Sequence, residues 1–190
     1  MIAISLDEGD ELGWVRQTSG NDEIIMVTRS GKALRIAEKE IRTMGRPAAG
    51  VTGIKLAAGD RLSSMDVVEP NSQLLVVTEH GFGKRTSLDE YPAKGRATGG
   101  VATIDQKHIG KIGQVASARV VQEEDEVTLV SSGGVMLRLK VKGISSSGRA
   151  TRGFRLMDLG QDDMVAALAR INTLELNKAE TNNAPDSQTK

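Results

Sequence analysis

The sequence predicts an all-β protein, a propeller-like array of about three complete four-stranded blades and part of a fourth. Three observations support this prediction. Similar segments recur at intervals of about fifty residues, each segment contains short apolar runs rich in β-branched residues, and Gly-rich turns separate these runs. A repeat of this length does not bury an apolar face alone, so neighbouring units are expected to share a core.

The first landmark of the repeat is an apolar run followed by a turn glycine. The segments DEIIMVTRSGKALRI, SQLLVVTEHGFGKRT and DEVTLVSSGGVMLRL align without a gap on Gly31, Gly81 and Gly134. Fourteen residues after each glycine begins a second landmark, the GR loop, which reads GRPAAGV, GRATGGV and GRATRGF. Both landmarks recur at intervals of 50 and then 53 residues, a fixed register that generic hairpins would not produce.

The first two predicted strands of each unit form a hairpin around the turn glycine. The first is an apolar run suited to burial on both faces, at 24–28, 74–78 and 127–131. The second alternates in the outer units, where Leu34 and Ile36 are opposed to Arg35. In the middle unit Lys84 and Thr86 hold the inward positions, so that strand is either shifted in register or basic on both faces.

Two further strands complete each predicted unit. The third follows the GR loop, at 50–56, 101–106 and 153–159, and the fourth covers 61–68, 114–121 and 164–171. The last of these, MVAALARI, is compatible with a helical turn by propensity alone, but its alignment with the other repeats favours a strand. Four strands per unit indicate a blade.

The landmarks also predict how the chain is divided. The segment ISLDEGDEL from Ile4 matches IKLAAGDRL from Ile54 position by position, so the chain is expected to begin within a repeat. Residues 1–21 would be the closing half of an incomplete preceding blade, with its strands in 1–16, followed by blades at 22–71, 72–124 and 125–171. Residues 172–190 are polar with little to bury, which predicts a disordered tail.

Charges are balanced in number but segregated along the repeat. Lys and Arg total 25, as do Asp and Glu, and a net charge of zero by itself argues against a nucleic-acid binder. However, the hairpin and GR-loop half of each unit is basic, whereas acids collect at 7–11, 60–69, 123–126 and 158–163. The pattern therefore predicts one basic edge and one acidic edge.

A repeating basic edge suits a polyanion such as duplex DNA. Neutralised phosphates release counterions, which gives binding without sequence preference, and Gly-rich loops expose backbone N–H groups to a phosphate. The predicted DNA-binding residues recur at matched repeat positions: Lys32, Arg35, Arg46, Lys84, Arg85, Arg96, Arg138, Lys140, Arg149 and Arg152. The alternative is that these side chains are merely solvated, or that a GR loop pins a neighbouring blade through an Arg–carboxylate bridge.

The sequence predicts no catalytic residue, cofactor site or metal site. It contains no cysteine, and His80 and His108 lie in different surroundings. The segment GFGKRT lacks the spacing of a Walker phosphate loop, and the carboxylates of GDEL and GDRL sit in repeated turns, which favours an architectural role. Neither a secretory signal nor a membrane-spanning run is expected.

The stretches GKALRI, MGRPAAGVTGIKL, GFGKRTSLDEYPAKGRATGGV and GRATRGF resemble the C-terminal domain of DNA gyrase A, with the corresponding domain of topoisomerase IV as the near alternative. The resemblance covers about residues 1–171 and implies a β-pinwheel whose basic rim wraps DNA to support negative supercoiling. It also implies a bacterial, nucleoid-associated cytoplasmic protein. Its implied partners are gyrase B, which carries the ATPase, and the rest of gyrase A, which carries the DNA-cleaving tyrosine.

Two departures from the family pattern leave a rival hypothesis open. The glutamine-arginine-glycine-rich box of the family's first blade is missing, and the tail is not strongly acidic. Tyr91 does not correspond to the cleaving tyrosine. The rival is a protein-interaction propeller of the chromosome-condensation-regulator type, which would use its loops to bind an acidic or basic partner.

Overall fold

The computed structural model describes residues 4–172, and most regular structure in this range is β-strand. Four 3₁₀ turns lie at Glu38–Glu40, Leu88–Glu90, Gln106–His108 and Val141–Gly143. One short helix, α1, lies at Ile109–Ile112. The strands are β1 Glu23–Thr28, β2 Lys32–Ala37, β3 Leu62–Val67, β4 Gln73–Thr78, β5 Phe82–Ser87, β6 Val101–Ala102, β7 Val115–Val121, β8 Glu126–Ser131, β9 Met136–Lys140, β10 Phe154–Arg155 and β11 Val165–Ile171.

The strands form three antiparallel sheets with a repeated order. The first sheet runs β3-β1-β2-β6, the second β7-β4-β5-β10 and the third β11-β8-β9. In the first two sheets the outermost strand, β6 or β10, comes from the repeat that follows in sequence. The expectation that each repeat supplies all four strands of its own blade is therefore wrong, because the strand after a GR loop adds to the preceding sheet. The division at 22–71, 72–124 and 125–171 remains a prediction.

The hairpin register is the same in all three units. Arg35 lies opposite Ile25 on β1, and Arg85 lies opposite Leu75 on β4. Arg138 occupies the matching place on β9, opposite a residue of β8. The middle strand is therefore not shifted, and the alternative of inward-facing basic character is the correct one, since Lys84 is only 1% exposed.

Apolar first strands place the cores between adjacent sheets. Ile25 and Val27 of β1 pack in one cluster with Leu74 and Val76 of β4, and a second cluster joins the middle and last units. These side chains are at most 1% exposed, so they are excluded from water by the neighbouring unit. The shared core expected from the repeat length is thus present, and burial of aliphatic surface stabilises the junctions between units.

The fourth strands lie side by side across the array. Ser64 on β3 accepts a hydrogen bond from the backbone N–H of Ala118 on β7, 2.8 Å away, and Arg170 on β11 donates to the carbonyl of Val120, 3.1 Å away. The segment MVAALARI is a strand, as its alignment with the other repeats predicted. These side-chain bonds tie each unit to the next on the side opposite the outer strands.

Three segments predicted from the sequence either differ from the structure or lie outside the described residues. Residues 4–22 contain no strand, so the strands predicted within 1–16 are absent from 4–16. The predicted third strand at 50–56 is reduced to one bridge between Ile54 and Thr98. The disordered tail predicted at 172–190 falls, apart from Asn172, outside the described residues.

Candidate nucleic-acid interface

The middle and last GR loops each lie along the second strand of the preceding unit. Ahead of the middle loop, the backbone N–H of Lys94 donates to the carbonyl of Arg35, 2.9 Å away. Ahead of the last loop, the backbone N–H of Ser147 donates to the carbonyl of Arg85 at the same distance, 2.9 Å. GR loops and second strands therefore alternate along one edge of the array, and this edge carries the predicted basic residues.

The arginines of the GR loops reach solvent to different degrees. Arg46 and Arg152 are exposed and form no ion pair or hydrogen bond through their side chains with the described residues. Arg96 is exposed and makes one long contact to the carbonyl of Thr52, 3.4 Å away. These three guanidinium groups are available to an anionic ligand in solution.

Among the arginines of the GR loops, Arg149 makes the most contacts with other residues of the protein. Its guanidinium lies 4.0 Å from the carboxylate of Glu90 and 6.0 Å from the ring centroid of Tyr91. Its backbone N–H donates to the same carboxylate over 3.0 Å. The side chain nevertheless keeps 33% exposure, so the Arg–carboxylate bridge considered for the GR loops is present here in a loose, partly solvated form.

Arg35 and Arg85 on the second strands connect adjacent units. Arg35 pairs with Glu23 on β1 and donates to the carbonyl of Leu88 in the next unit, 2.8 Å away. Arg85 donates through Nε to the carbonyl of Ile144 in the next unit, 2.7 Å away. The planar fork of a guanidinium suits several fixed acceptors at once, so these two arginines act as clamps between units.

Lys84 is buried in the same way and is the least accessible of the predicted residues. Its ammonium group donates to the carbonyls of Gly148 and Arg149 in the following GR loop. Burial lowers the pKa of Lys84 to about 8, while the Glu90 carboxylate acts in the opposite direction. At neutral pH the group therefore remains protonated and holds the loop backbone.

The predicted interface must be corrected at these positions. Lys84 and Arg85 are 1% and 8% exposed and bond to the protein itself, so neither presents a cation to a ligand. Arg35 is half-buried and has its donors occupied. Sequence repetition detected a real common role at the second-strand arginines, but in the first two units that role is to join the units.

The remaining strand residues lie at the surface. Arg138 pairs only with Glu126 on the neighbouring strand β8 and its side chain is 61% exposed. Lys140 is exposed and Lys32 is half-buried, and neither side chain has an ion-pair partner among residues 4–172. Of the ten predicted residues, those that still present a cation to solvent are Lys32, Arg46, Arg96, Arg138, Lys140, Arg149 and Arg152.

Several carboxylates accept hydrogen bonds from hairpin turns of the protein and do not neutralise the cations of the basic edge. The Asp60 carboxylate accepts from the backbone N–H and hydroxyl of Ser30 at the turn of the first hairpin. Asp163 does the same for Ser132 and Gly133 in the last unit. Hydrogen bonding to the side chain of Ser131, with further bonds from Ser132 and the backbone of Gly133, lowers the pKa of Asp163 to about 2. The acidic turn GDRL thus has the architectural role expected, because Asp60, like Asp163 in the last unit, satisfies an N–H group of a hairpin turn.

No catalytic arrangement accompanies the basic edge in the described residues. No group of three or more His, Asp or Glu side chains at 4–172 is placed to hold a metal ion. Tyr91 is 1% exposed, its hydroxyl lies 2.6 Å from that of Thr103, and burial raises its pKa, so it is a core residue. Among these residues no helix is long and apolar enough to cross a membrane.

Comparison with known families identifies this arrangement of units. A family model described as the DNA gyrase C-terminal domain, β-propeller, matches residues 22–69, 72–122 and 125–172. The chain belongs to this family. The all-β propeller-like fold predicted from the repeats is thereby confirmed, and so is the resemblance found in the sequence.

Relatives of this gyrase C-terminal domain include curated proteins of much greater length. The chain is 55% identical over 172 residues to DNA gyrase A of Halalkalibacterium halodurans, covering 90% of the chain and 20% of that protein. It is 41% identical over 171 residues to DNA gyrase A of Klebsiella oxytoca, covering 90% and 19%. The chain therefore spans about a fifth of the curated relatives that it matches.

Solved structures show the same fold. A C-terminal domain of DNA topoisomerase IV matches with a TM-score of 0.86 and 26% identity, covering 96% of this chain and 58% of that one. A DNA gyrase A C-terminal domain matches with a TM-score of 0.83 and 27% identity, covering 90% and 58%. The protein-interaction propeller is not favoured, because the matches lie within the gyrase and topoisomerase IV group.

One basic residue of the edge was not among the predicted interface residues. The Arg155 guanidinium lies 4.9 Å from the ring centroid of Phe82, which is its strand partner across the β5–β10 junction, and its side chain is 52% exposed. The ring and the Asp158 carboxylate, 3.7 Å from Nε of Arg155, both contact the guanidinium, which stays open to solvent. The sequence signal that could have found it is its position directly after GRATRGF.

Proposed function

We propose that this chain is a DNA-binding and DNA-wrapping region of a DNA gyrase A protein. The observation that carries the proposal is the alternation of GR loops and second strands along one edge, with Arg46, Arg96 and Arg152 exposed and unneutralised. Because the same loop recurs in every unit, its cations are presented at regular intervals, as are the phosphates of a duplex.

The chemistry of this edge supports contact with the DNA backbone rather than with bases. Arginine and lysine on loops reach phosphates readily, and such contacts set position without reading sequence. Positive-φ glycines at Gly50, Gly100 and Gly153 shape the loop ends. Binding is therefore expected to be independent of sequence and to weaken steeply with salt.

Wrapping requires the contacts to offset the stiffness of the duplex. Bending a short segment of DNA costs on the order of 1–6 kcal/mol, so cations must follow the bent path on successive units. A row that extends over three units can supply them. In the holoenzyme we propose that this region supports negative supercoiling together with the rest of gyrase A and with gyrase B, in the bacterial cytoplasm and associated with the nucleoid.

Binding and wrapping can be tested separately on the purified chain. For binding, fluorescence anisotropy with two labelled duplexes of equal length and unrelated sequence should give equal affinities, each falling between about 50 and 200 mM salt. A chain without affinity at low salt, or one that strongly prefers one duplex, would contradict backbone binding.

For wrapping, a nicked plasmid is ligated with and without the chain, and topoisomers are resolved after deproteinisation. A wrapped duplex is expected to shift the linking-number distribution in proportion to bound protein. An unchanged distribution at saturating protein would leave binding in place but refute wrapping.

A further inference from the structure

Glu90 places a carboxylate against the last GR loop. Its Oε2 atom accepts a hydrogen bond from the backbone N–H of Arg149 over 3.0 Å and lies 4.0 Å from Nε of the Arg149 guanidinium. A Cβ atom added to Gly148 would lie 3.7 Å from the same oxygen. One carboxylate oxygen therefore meets both groups that this loop arginine can offer to an anion.

The middle GR loop begins with the same four residues, GRAT, but lacks such a carboxylate. Glu40 matches Glu90 by repeat position, since each ends a 3₁₀ turn that follows the second strand. Within residues 4–172 the exposed side chain of Glu40 makes no hydrogen bond or ion pair with Arg96. Arg96 instead reaches the carbonyl of Thr52 over 3.4 Å. The two GRAT loops therefore differ in whether their arginine is already paired with an acid.

The backbone of the last GR loop is held by residues other than Glu90. The ammonium group of Lys84 donates to the carbonyls of Gly148 and Arg149. The hydroxyl of Thr86 donates to the carbonyl of Ser147 over 2.9 Å. Both donors belong to β5 and neither bond involves Glu90. The loop is therefore anchored whether or not that carboxylate accepts from Arg149.

The contact between the Glu90 and Arg149 side chains is weak enough to be exchanged. These side chains are 42% and 33% exposed, and at 4.0 Å the guanidinium is too far from the carboxylate for a hydrogen bond. Partly exposed ion pairs of this kind contribute little to stability, because water and salt screen them. A polyanionic ligand can therefore replace the carboxylate at little cost.

A DNA phosphate suits the same two donors. Phosphate and carboxylate groups both present anionic oxygens to a backbone N–H, and a guanidinium can bind a phosphate through two parallel N–H donors. Each phosphate of a duplex also lies within a polyanion, so its contact with a cation releases condensed counterions. An isolated carboxylate releases none, which favours the phosphate in the exchange.

We propose that Glu90 occupies a phosphate site of the last GR loop in the free chain, and that a DNA phosphate displaces it to bind the N–H and guanidinium of Arg149. The inference rests on the proposed DNA-binding function and adds to it a residue that controls one loop. Once displaced, the Glu90 side chain turns into the solvent that already covers 42% of its surface. The middle loop has no carboxylate to remove before it meets DNA.

The two GRAT loops therefore contribute unequally to DNA affinity. A phosphate that contacts Arg96 gains the whole interaction, whereas one that contacts Arg149 must first break the pair with Glu90. In the wild-type chain, Arg96→Ala is expected to weaken binding more than Arg149→Ala does. In a Glu90→Gln background the two losses should become similar, because a neutral amide competes little for the guanidinium.

Glu90→Gln is the variant that tests the carboxylate, because the amide keeps the size of the side chain and loses its charge. Asp89→Asn is the matched control. Asp89 belongs to the same 3₁₀ turn and is exposed, and its carboxylate accepts from the Ser87 hydroxyl rather than from a GR loop. Glu40→Gln is a second control, at the matching position of the first unit. All three variants remove one negative charge.

Fluorescence anisotropy with one labelled duplex provides the readout, at about 100 mM salt, where surface charges more than about 10 Å apart are largely screened. Glu90→Gln should bind about threefold more tightly than wild type, as expected when a partly exposed ion pair need not be broken. The two controls should gain less than about 1.5-fold. In an Arg149→Ala background, Glu90→Gln should gain no more than the controls, because no guanidinium is left to free.

The outcomes separate this inference from the proposed function. If wild type binds the duplex and Glu90→Gln gains no more than Asp89→Asn, DNA binding stands and the displacement is overturned. A gain that survives in the Arg149→Ala background shows general repulsion of DNA by Glu90, which also overturns it. If neither wild type nor Glu90→Gln binds at low salt, the function and the inference both fail. If Glu90→Gln does not fold by circular dichroism, Glu90→Asp replaces it, since the shorter carboxylate withdraws from Arg149 and should also tighten binding.

Discussion

The ammonium group of Lys84 donates a hydrogen bond of 2.6 Å to the backbone carbonyl of Arg149. One lysine in the middle unit thereby fixes the GR loop of the last unit, while the side chain of Arg149 stays partly in solvent. Two cations from different parts of the repeat thus have different roles: Lys84 on the second strand positions the GR loop, and Arg149 is presented by that loop. The same division separates the clamps Arg35 and Arg85 from the exposed loop arginines.

Replacing Lys84 by Ala should destabilise the chain by about 1–3 kcal/mol. The substitution leaves the carbonyls of Gly148 and Arg149 without a donor and opens a cavity in a buried strand. Urea unfolding at pH 7 measures this loss. Lys140→Ala is the control on an exposed strand position, and an equal loss in both variants would contradict the anchoring role.

The stability contribution of Lys84 should also depend on pH. Its pKa is about 8 in the folded chain, against 10.5 for an ordinary lysine, so the unfolded chain binds more protons between these values. Stability therefore rises with pH through this window, by up to about 3 kcal/mol relative to Lys84→Met, which has no titrating group. Denaturant titrations of both proteins at pH 7, 8.5 and 10 measure the difference. A constant difference would show that burial does not depress this pKa.

Arg85→Lys should cost about 1–3 kcal/mol, whereas Arg138→Lys should stay within about 0.5 kcal/mol. Both residues hold the same repeat position, but Arg85 donates to the carbonyls of Ile144 and Lys142 and Arg138 pairs only with Glu126. Urea unfolding at dilute protein concentration compares the two variants. Similar losses would indicate that the bonds between units do not stabilise the array.

Gly81→Asn should be far more destabilising than Gly134→Asn, although the two glycines have nearly equal φ. Backbone strain is common to both, so the difference isolates the contact with Met157, whose carbonyl oxygen would lie 2.3 Å from the new Cβ atom. We expect a gap of more than about 2 kcal/mol in thermal unfolding. Equal melting temperatures would show that the β10 segment does not pack on this turn.

Much of the fold could be predicted because the repeat places apolar residues in register. The runs that became β1 and β4 are apolar at four of six positions, β8 largely alternates apolar and polar residues, and the alignment of MVAALARI decided between helix and strand. The exchange of outer strands could not be predicted. β6 and β10 are two residues long, so their place depends on packing against a neighbouring sheet rather than on local pattern.

The basic edge was only partly predictable for a similar reason. Sequence shows that Arg35, Arg85 and Arg138 occupy one repeat position, but not whether a following unit covers them. The inward position of Lys84 in the repeat indicates burial, whereas its charge alone suggests a surface residue, and the side chain is in fact 1% exposed. Charge predicts exposure better in loops than on strands, and the loop residues Arg46, Arg96 and Arg152 are exposed.

The measurement that tests the account most directly is the salt dependence of DNA affinity for Arg46, Arg96 and Arg149 replaced together by Ala. These residues share one loop position, so the slope of log K against log salt should flatten by about 0.9 for each phosphate that is no longer neutralised, or about 2.7 in all. The control replaces Arg61, Lys107 and Lys111 by Ala; these exposed residues lie outside the GR loops in sequence, so removing the same charge there should change the slope less. Urea unfolding verifies that both variants remain folded. If the loop variant keeps the wild-type affinity and slope, or both variants lose affinity equally, the GR loops do not bind DNA.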